Sequence, residues 1–380
     1  MQKLLFYQWN AFMQKGIEKS LKRLKIEYDV FFCVATDWDK DDDLAKKLET
    51  KLNCGEYPAV FSVNFMPVIS DVCMKLGIKY ISWVYDSPLH IRRVETLMNS
   101  CNTIYFFDRV QAETYLKNGV TGARHLPLAA DPQVFNCSIP ASNEDYLCDV
   151  SLLGQLYQSE YAYLCSPLSM YNRGCLEGIV RSQMQISGGF IVDELLNETF
   201  IDNLNKEFLA ASKNLFKVSK EELSYTLAKE VTGRQRFAAL SLLESRCRVN
   251  LYSKDVDKRL QNINNCGYVD YYNDMPEVFA KSRINLNISL CTIQSGIPLR
   301  VLDIMACKGF VLTNMQPELF EYFTPGEDLV VYEDMKDLVV KALFYLEHEA
   351  ERKRIAENGY KKVCELFTFD DRMKKILDIM

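Results

Sequence analysis

Runs of β-branched and aromatic residues that carry no polar alternation constrain this chain most. Residues 3–7, 28–34, 59–63, 79–84 and 103–107 are such runs. A strand with one solvated face alternates apolar and polar side chains, so continuous apolar runs predict parallel strands covered on both faces. Helical periodicity fills the gaps, at 16–24, 43–52, 66–76, 90–98 and 109–117. Strand and helix repeating at this spacing predict right-handed βαβ units wound into a parallel sheet.

The chain has 380 residues, which at about 150 per domain predicts two domains. A turn-rich stretch over 132–143 ends the first, expected to occupy 1–140. A new strand at 149–153 opens the second, expected over 147–368. From 159 to 245 no strand pattern appears, which predicts a helical excursion within the second domain. The βα rhythm returns at 248–252, 283–289, 309–313 and 329–332. A last helix over 369–380 is expected to cross back to the first domain. The predicted class is α/β, with two Rossmann-like domains.

Composition narrows the function. Lys plus Arg is 45 against 51 Asp plus Glu, a formal charge of −6. That disfavours sequence-independent nucleic-acid binding, which needs a basic surface. No stretch approaches 18 uninterrupted apolar residues, so no membrane span is expected. The opening segment lacks the pattern of a signal peptide. The 13 cysteines are scattered and never spaced Cys-x-x-Cys, so reduced thiols in a cytoplasmic protein are expected.

No Gly-x-Gly-x-x-Gly or Gly-x-x-x-x-Gly-Lys-Ser/Thr follows any strand, which disfavours hydride transfer and P-loop chemistry. Asp37, Asp39, Asp41, Asp42 and Asp43 form an acidic cluster. It reads either as a divalent-metal loop or, preferentially, as a solvated loop capping the next helix. His90, His125 and His348 show no ligand spacing, and His90 alone lies in a loop beyond a strand end. The segment from Ser289 to Gly309 carries most information. A strand ends, Ser295-Gly296 turns, and Pro298 stands at a helix start. Gly296 with the helix N-terminus suits an anion, and Arg300 and Asp303 share a helical face. The alternative is a capped helix with an Arg300–Asp303 pair on its surface.

Residues 295–314 and 318–330 resemble the C-terminal domain of GT-B glycosyltransferases, particularly the branch related to spore-maturation CgeB proteins. Trp83-Val84-Tyr85-Asp86-Ser87-Pro88, Phe107-Asp108-Arg109 and Leu126-Pro127-Leu128-Ala129-Ala130-Asp131 resemble the matching N-terminal domain. The resemblance implies two Rossmann-like domains facing a cleft. It also implies sugar transfer from a nucleoside diphosphate, a UDP-sugar such as UDP-N-acetylglucosamine being the first expectation. The implied acceptor is a hydroxyl of a surface glycan or of a protein Ser or Thr, such as flagellin's. No cofactor or metal is expected.

By the same resemblance, Gly154 and Gln155 face the diphosphate, while Ser253, Lys254, Tyr268 and Val269 border the nucleobase. Gly296, Ile297 and Arg300 hold the diphosphate, Ser295 and Pro298 count among the donor-binding residues, and Asp303 takes the place of the glutamate that contacts ribose. Ser295 stands where relatives carry a first glutamate, and Tyr85-Asp86 where they often carry a histidine. That histidine's role does not carry over; Asp86 is the candidate to position or deprotonate the acceptor, the alternative being a loop carboxylate that caps the helix near His90, and Asn10, Asn64, His90 and Arg109 are candidates on the acceptor side. Rival readings are a nucleotide-sugar 2-epimerase, a metal-dependent transferase using Asp37 and Asp39, and a non-catalytic nucleotide-sugar-binding module.

Overall fold

The computed structural model describes residues 3–135, 140, 142, 145–211 and 216–378. Half of the turn-rich boundary expected over 132–143, residues 136–139, 141 and 143, lies outside them. So do Met1 and Gln2 of the opening segment and the last two residues of the expected terminal helix. The chain divides into two compact units. One holds residues up to Phe135 together with Ser295–Ala306 and the segment from Lys361 onward; the other holds Asn136–Gln294 and Cys307–Tyr360.

In the first unit, β1 (Leu4–Gln8), β2 (Tyr28–Phe32), β3 (Ala59–Val63), β4 (Lys79–Val84), β5 (Asn102–Phe106) and β6 (Ala123–His125) form one parallel sheet. Its order is β2-β1-β3-β4-β5-β6. Every residue of β1 and β3 is buried, whereas edge strand β2 alternates half-buried and exposed positions. The doubly covered interior is what the unbroken apolar runs require.

Two expectations change here. The helix expected over 90–98 is only a 3-10 turn, Val94–Met98. Asp39 Oδ1 accepts from the backbone N–H groups of Arg92 and Arg93 at 2.9 and 2.8 Å, committing that segment to a loop. The three-residue β6 was missed, being too short to show periodicity.

The helix Phe369–Leu377 belongs to this unit. Its Phe369 ring lies where a side chain on Gly16 would stand, 2.5 Å from an ideal Cβ, so only glycine fits that point of the helix Gln14–Arg23. Buried Arg372 donates to the Pro127 carbonyl at 2.8 Å, and Arg23 forks onto Asp370.

In the second unit, β7 (Cys148–Leu153), β8 (Val249–Tyr252), β9 (Asn264–Asn265), β10 (Ser282–Asn287), β11 (Val311–Asn314) and β12 (Val330–Tyr332) are again all parallel. The order β12-β11-β10-β7-β8-β9 is the 3-2-1-4-5-6 order of dinucleotide-binding sheets. Between β7 and β8 the described chain is helical, at Tyr161–Cys165, Met170–Met184, Val192–Leu195, Glu198–Ala211 and Lys220–Leu243. These helices build their own core around Leu176, Val192, Leu204, Leu223 and Val231. Among the described residues every cysteine is a free thiol. No helix of the described residues is long and apolar enough to cross a membrane.

Candidate functional site

In open parallel sheets, ligands bind beyond the carboxyl ends of the strands, where the strand order reverses. The first sheet reverses between β1 and β3, the second between β7 and β10.

At the first reversal, Asn10 is exposed just beyond β1 and Asn64 directly follows β3. Asn64 adopts φ 61°, a left-handed conformation that asparagine tolerates better than most residues. This lets one side chain serve two segments. Its Oδ1 accepts from Tyr85 N–H at 2.7 Å, while its Nδ2 donates to Asp86 Oδ2 at 2.7 Å. Asp86 thus stands fixed at the end of β4. Burial raises its carboxyl above the ordinary range, an effect opposed by the neighbouring charge of His90 and the Asn64 hydrogen bond. A desolvated carboxyl held by one neutral donor suits proton transfer.

The acidic cluster behaves as a cap and an ion-pair anchor. Asp41 caps the helix Asp42–Asn53, accepting from Asp43 and Leu44 N–H groups, and also accepts from Thr36. These donors lower its carboxyl to about 2. Asp39 holds the Arg92–Arg93 backbone, and Asp37 pairs with the Arg92 guanidinium. The reading as a helix-capping loop accounts for these carboxylates.

Ser295 and Gly296 lie against the start of the helix Arg109–Lys117. Asp108 caps that helix and also accepts from Ser295 N–H at 3.0 Å and Ser295 Oγ at 2.9 Å. A side chain on Gly296 would meet Phe107 O and Asp108 Cα, each at 2.9 Å. Glycine is therefore demanded here by protein packing. These contacts group Ser295–Ala306 with the first unit, where sequence alone placed them within 147–368. Ile297 is buried, Arg300 half-buried and Asp303 only 1 % exposed on the helix Leu299–Ala306. The surface Arg300–Asp303 pair considered from sequence does not fit that burial.

At the second reversal the structure adds a residue that sequence reasoning missed. Arg236, 7 % exposed on the helix Lys220–Leu243, donates to the Gln155 carbonyl and, from Nε and Nη2, to the Ile288 carbonyl. One guanidinium thus ties together the loops that leave β7 and β10. It also lies 4.7 Å from the Tyr157 ring centroid. Gly154 takes φ 141°, and an ideal Cβ there would stand 3.0 Å from Arg236 Nη1. Gly233, three residues earlier on the same helix, lets it approach the Leu156 and Tyr157 carbonyls, 3.0 and 2.9 Å from where its Cβ would be. The Gly-x-x-Arg spacing was the available signal, but nothing local reveals its partners 52 and 81 residues away.

Lys254 and Tyr268 are brought together, the ammonium 4.6 Å from the ring centroid. Buried Ser253 accepts from Asp255 N–H. Tyr268 is largely exposed and Val269 half-buried.

A cavity of about 290 Å³ opens at the carboxyl ends of β10, β11 and β12, and residues 184–189 of the excursion form part of its wall. Ser289, Asn314, Gln316, Gln235 and Lys336 line it, and none of the site residues expected from sequence does. Gln316 is 1 % exposed, and its Oε1 accepts no hydrogen bond among the described residues.

Residues 232–378 match a glycosyl transferase-like family. The chain is 35 % identical to the spore protein CgeB of Bacillus subtilis over 77 residues, 20 % of this chain and 23 % of that protein. It is 26 % identical to an uncharacterized protein of Aquifex aeolicus over 115 residues, 30 % and 28 % of the two chains. These matches therefore span under a third of either relative. Solved structures share the fold across the full chain. Anabaena Alr3699/HepE in complex with UDP and glucose is 11 % identical with TM-score 0.53, covering 100 % of both chains. Sucrose-phosphate synthase from Thermosynechococcus elongatus is 13 % identical with TM-score 0.55, covering 100 % of this chain and 98 % of that one.

Proposed function

We propose that this chain, which has the GT-B fold and whose residues 232–378 match the glycosyl transferase-like family, transfers a sugar from a nucleoside diphosphate to a hydroxyl acceptor. The observation carrying this reading is the carboxyl edge of the second sheet. A nucleotide-binding strand order ends there in cations, Arg236 beneath the Gly154 loop and Lys254 at the end of β8, and a cavity of about 290 Å³ opens at the same edge of the sheet. A uridine donor is favoured because the similarly folded Alr3699/HepE is known in complex with UDP and glucose.

The reaction asks two things of the protein. The acceptor oxygen must lose its proton as it bonds the anomeric carbon. The departing diphosphate must keep the electron pair of the breaking C–O bond. Asp86 takes the proton, since burial has raised its basicity. Lys254, and Arg300 as the resemblance assigns it, offset the charge growing on the leaving group. Asp303 accepts from the ribose diol. Transfer proceeds without a divalent metal in this reading, because Asp37, Asp39 and Asp41 are already engaged by Arg92, Arg93 and the helix Asp42–Asn53.

Calorimetry over UDP-, GDP- and TDP-sugars, followed by mass spectrometry of candidate hydroxyl acceptors, tests the proposal. Saturable binding of one UDP-sugar and an acceptor gaining one glycosyl mass are expected, both unchanged by EDTA. Epimerised donor formed without acceptor, loss of activity on chelation, or no nucleotide binding would overturn it. Full donor affinity in Asp303→Ala would remove the ribose assignment.

A further inference from the structure

A second cavity of the second unit, about 260 Å³, opens at the opposite edge of the sheet, where β10 and β11 begin. Arg283, Lys308, Arg352 and Lys353 line it against one carboxylate, Glu357. Three of these cations are compensated. Arg283 lies 3.2 Å from Asp149, Lys353 2.7 Å from Glu349, and Lys308 3.7 Å from Glu357.

Arg352 is different. It is 2 % exposed, yet no carboxylate among the described residues stands within ion-pair distance. Its Nη1 donates to the Tyr345 carbonyl at 2.7 Å, and its guanidinium lies 5.6 Å from the Tyr146 ring centroid. Among the described residues its Nη2 has no hydrogen-bond partner, and neither has Arg283 Nε.

A guanidinium does not deprotonate in a protein, so burial leaves its charge to be met by something else. A buried charge without a counter-charge is a costly arrangement. Arg352 also sits in the first turn of the helix Glu349–Leu366, where the helix dipole is itself positive and an anion is favoured. Two unspent N–H donors belong to two arginines that line a cavity with more cations than carboxylates. Forked donors of this kind match the oxygens of a phosphate group.

We infer that this cavity binds a small phosphate-type oxyanion, free or carried on a small metabolite, through Arg352 Nη2 and Arg283 Nε, with Lys308 at its rim. The site lies at the amino edge of the sheet and shares no lining residue with the carboxyl-edge cavity. It therefore stands or falls apart from the glycosyl-transfer reading, as an effector site.

The test is thermal unfolding and calorimetry of the full chain titrated with inorganic phosphate, with sodium chloride at matched ionic strength as control. A sugar phosphate titrated in parallel separates the free ion from a phosphorylated metabolite. A saturable rise in melting temperature specific to the phosphate group is expected, since a ligand of the folded state alone raises stability. Arg352→Met should weaken the apparent affinity at least tenfold without lowering the melting temperature in chloride. Lys308→Gln, which leaves the interior untouched, should weaken it about threefold and carries the test if Arg352→Met fails to fold. No response beyond that of chloride, or an undiminished response in Lys308→Gln and in folded Arg352→Met, would overturn the inference.

Discussion

The two sheets share an all-parallel construction and differ in what stands at their carboxyl edges. At the first, Asn64 presents a neutral amide to a desolvated carboxyl, Asp86, and most neighbouring carboxylates are spent on caps and ion pairs. At the second, a buried cation, Arg236, gathers two backbone carbonyls, and Lys254 adds a further positive charge. In the proposed reaction the first edge supplies the proton chemistry and the second the anion chemistry. Charge at the strand ends, set by a few side chains, divides the labour that fold alone leaves open.

The strongest way to break this contrast is to remove the carboxyl of the first edge. Asp86→Asn should lower transfer kcat by about 10²-fold or more, the scale of general-base catalysis, with donor affinity unchanged by calorimetry. The wild-type pH profile should show the matching signature. A base must be ionised, so kcat/KM falls as pH drops through the raised Asp86 value, and the acid limb lies above the ordinary carboxylate range of about 3.9. Stability runs the other way. The folded value exceeds the unfolded one, so the carboxyl's contribution is present at acid pH and lost as pH rises through the folded value. Asp86→Asn should therefore be no less stable than wild type at neutral pH, and marked destabilisation would count against the assignment.

At the second edge, Arg236→Met should cost about 3 kcal/mol in denaturant unfolding, because the Gln155 and Ile288 carbonyls lose a charged donor. A cost under about 1 kcal/mol would show that water replaces the guanidinium. Gly296→Ala should cost about 2 kcal/mol, since the new methyl meets backbone at 2.9 Å.

The smallest effect is expected at the acidic loop. Asp41→Ala should cost about 1 kcal/mol, the worth of an N-cap. The folded carboxyl lies near 2 against an ordinary 3.8, so this contribution is present above the ordinary value and lost as pH falls toward 2. The difference between variant and wild type should accordingly shrink in acid, and a difference that persists at pH 2 would show that the cap acts otherwise.

Much of this organisation is legible in the chain. Strands β1, β3, β4, β7, β8, β10 and β11 fall on apolar runs within a residue or two of their ends, because burial on both faces leaves a local signature. The helical excursion expected over 159–245 is present, and its long helix Lys220–Leu243 starts at the Ser219 capping box. The short edge strands β6 and β9 leave no such mark, and the loop before Val94 was misread because Asp39, 53 residues away from Arg92, holds it.

What the sequence determined by itself is the α/β class, the two Rossmann-like sheets and the resemblance to GT-B transferases. Each depends on periodicity and order along the chain, which are local properties. Tertiary structure alone decided that Asp108 holds Ser295, that Arg236 joins the exits of β7 and β10, and that Arg352 is buried with no carboxylate partner among the described residues. These depend on groups between 52 and 187 residues apart in the chain, or on exposure, and both are properties of the packed molecule.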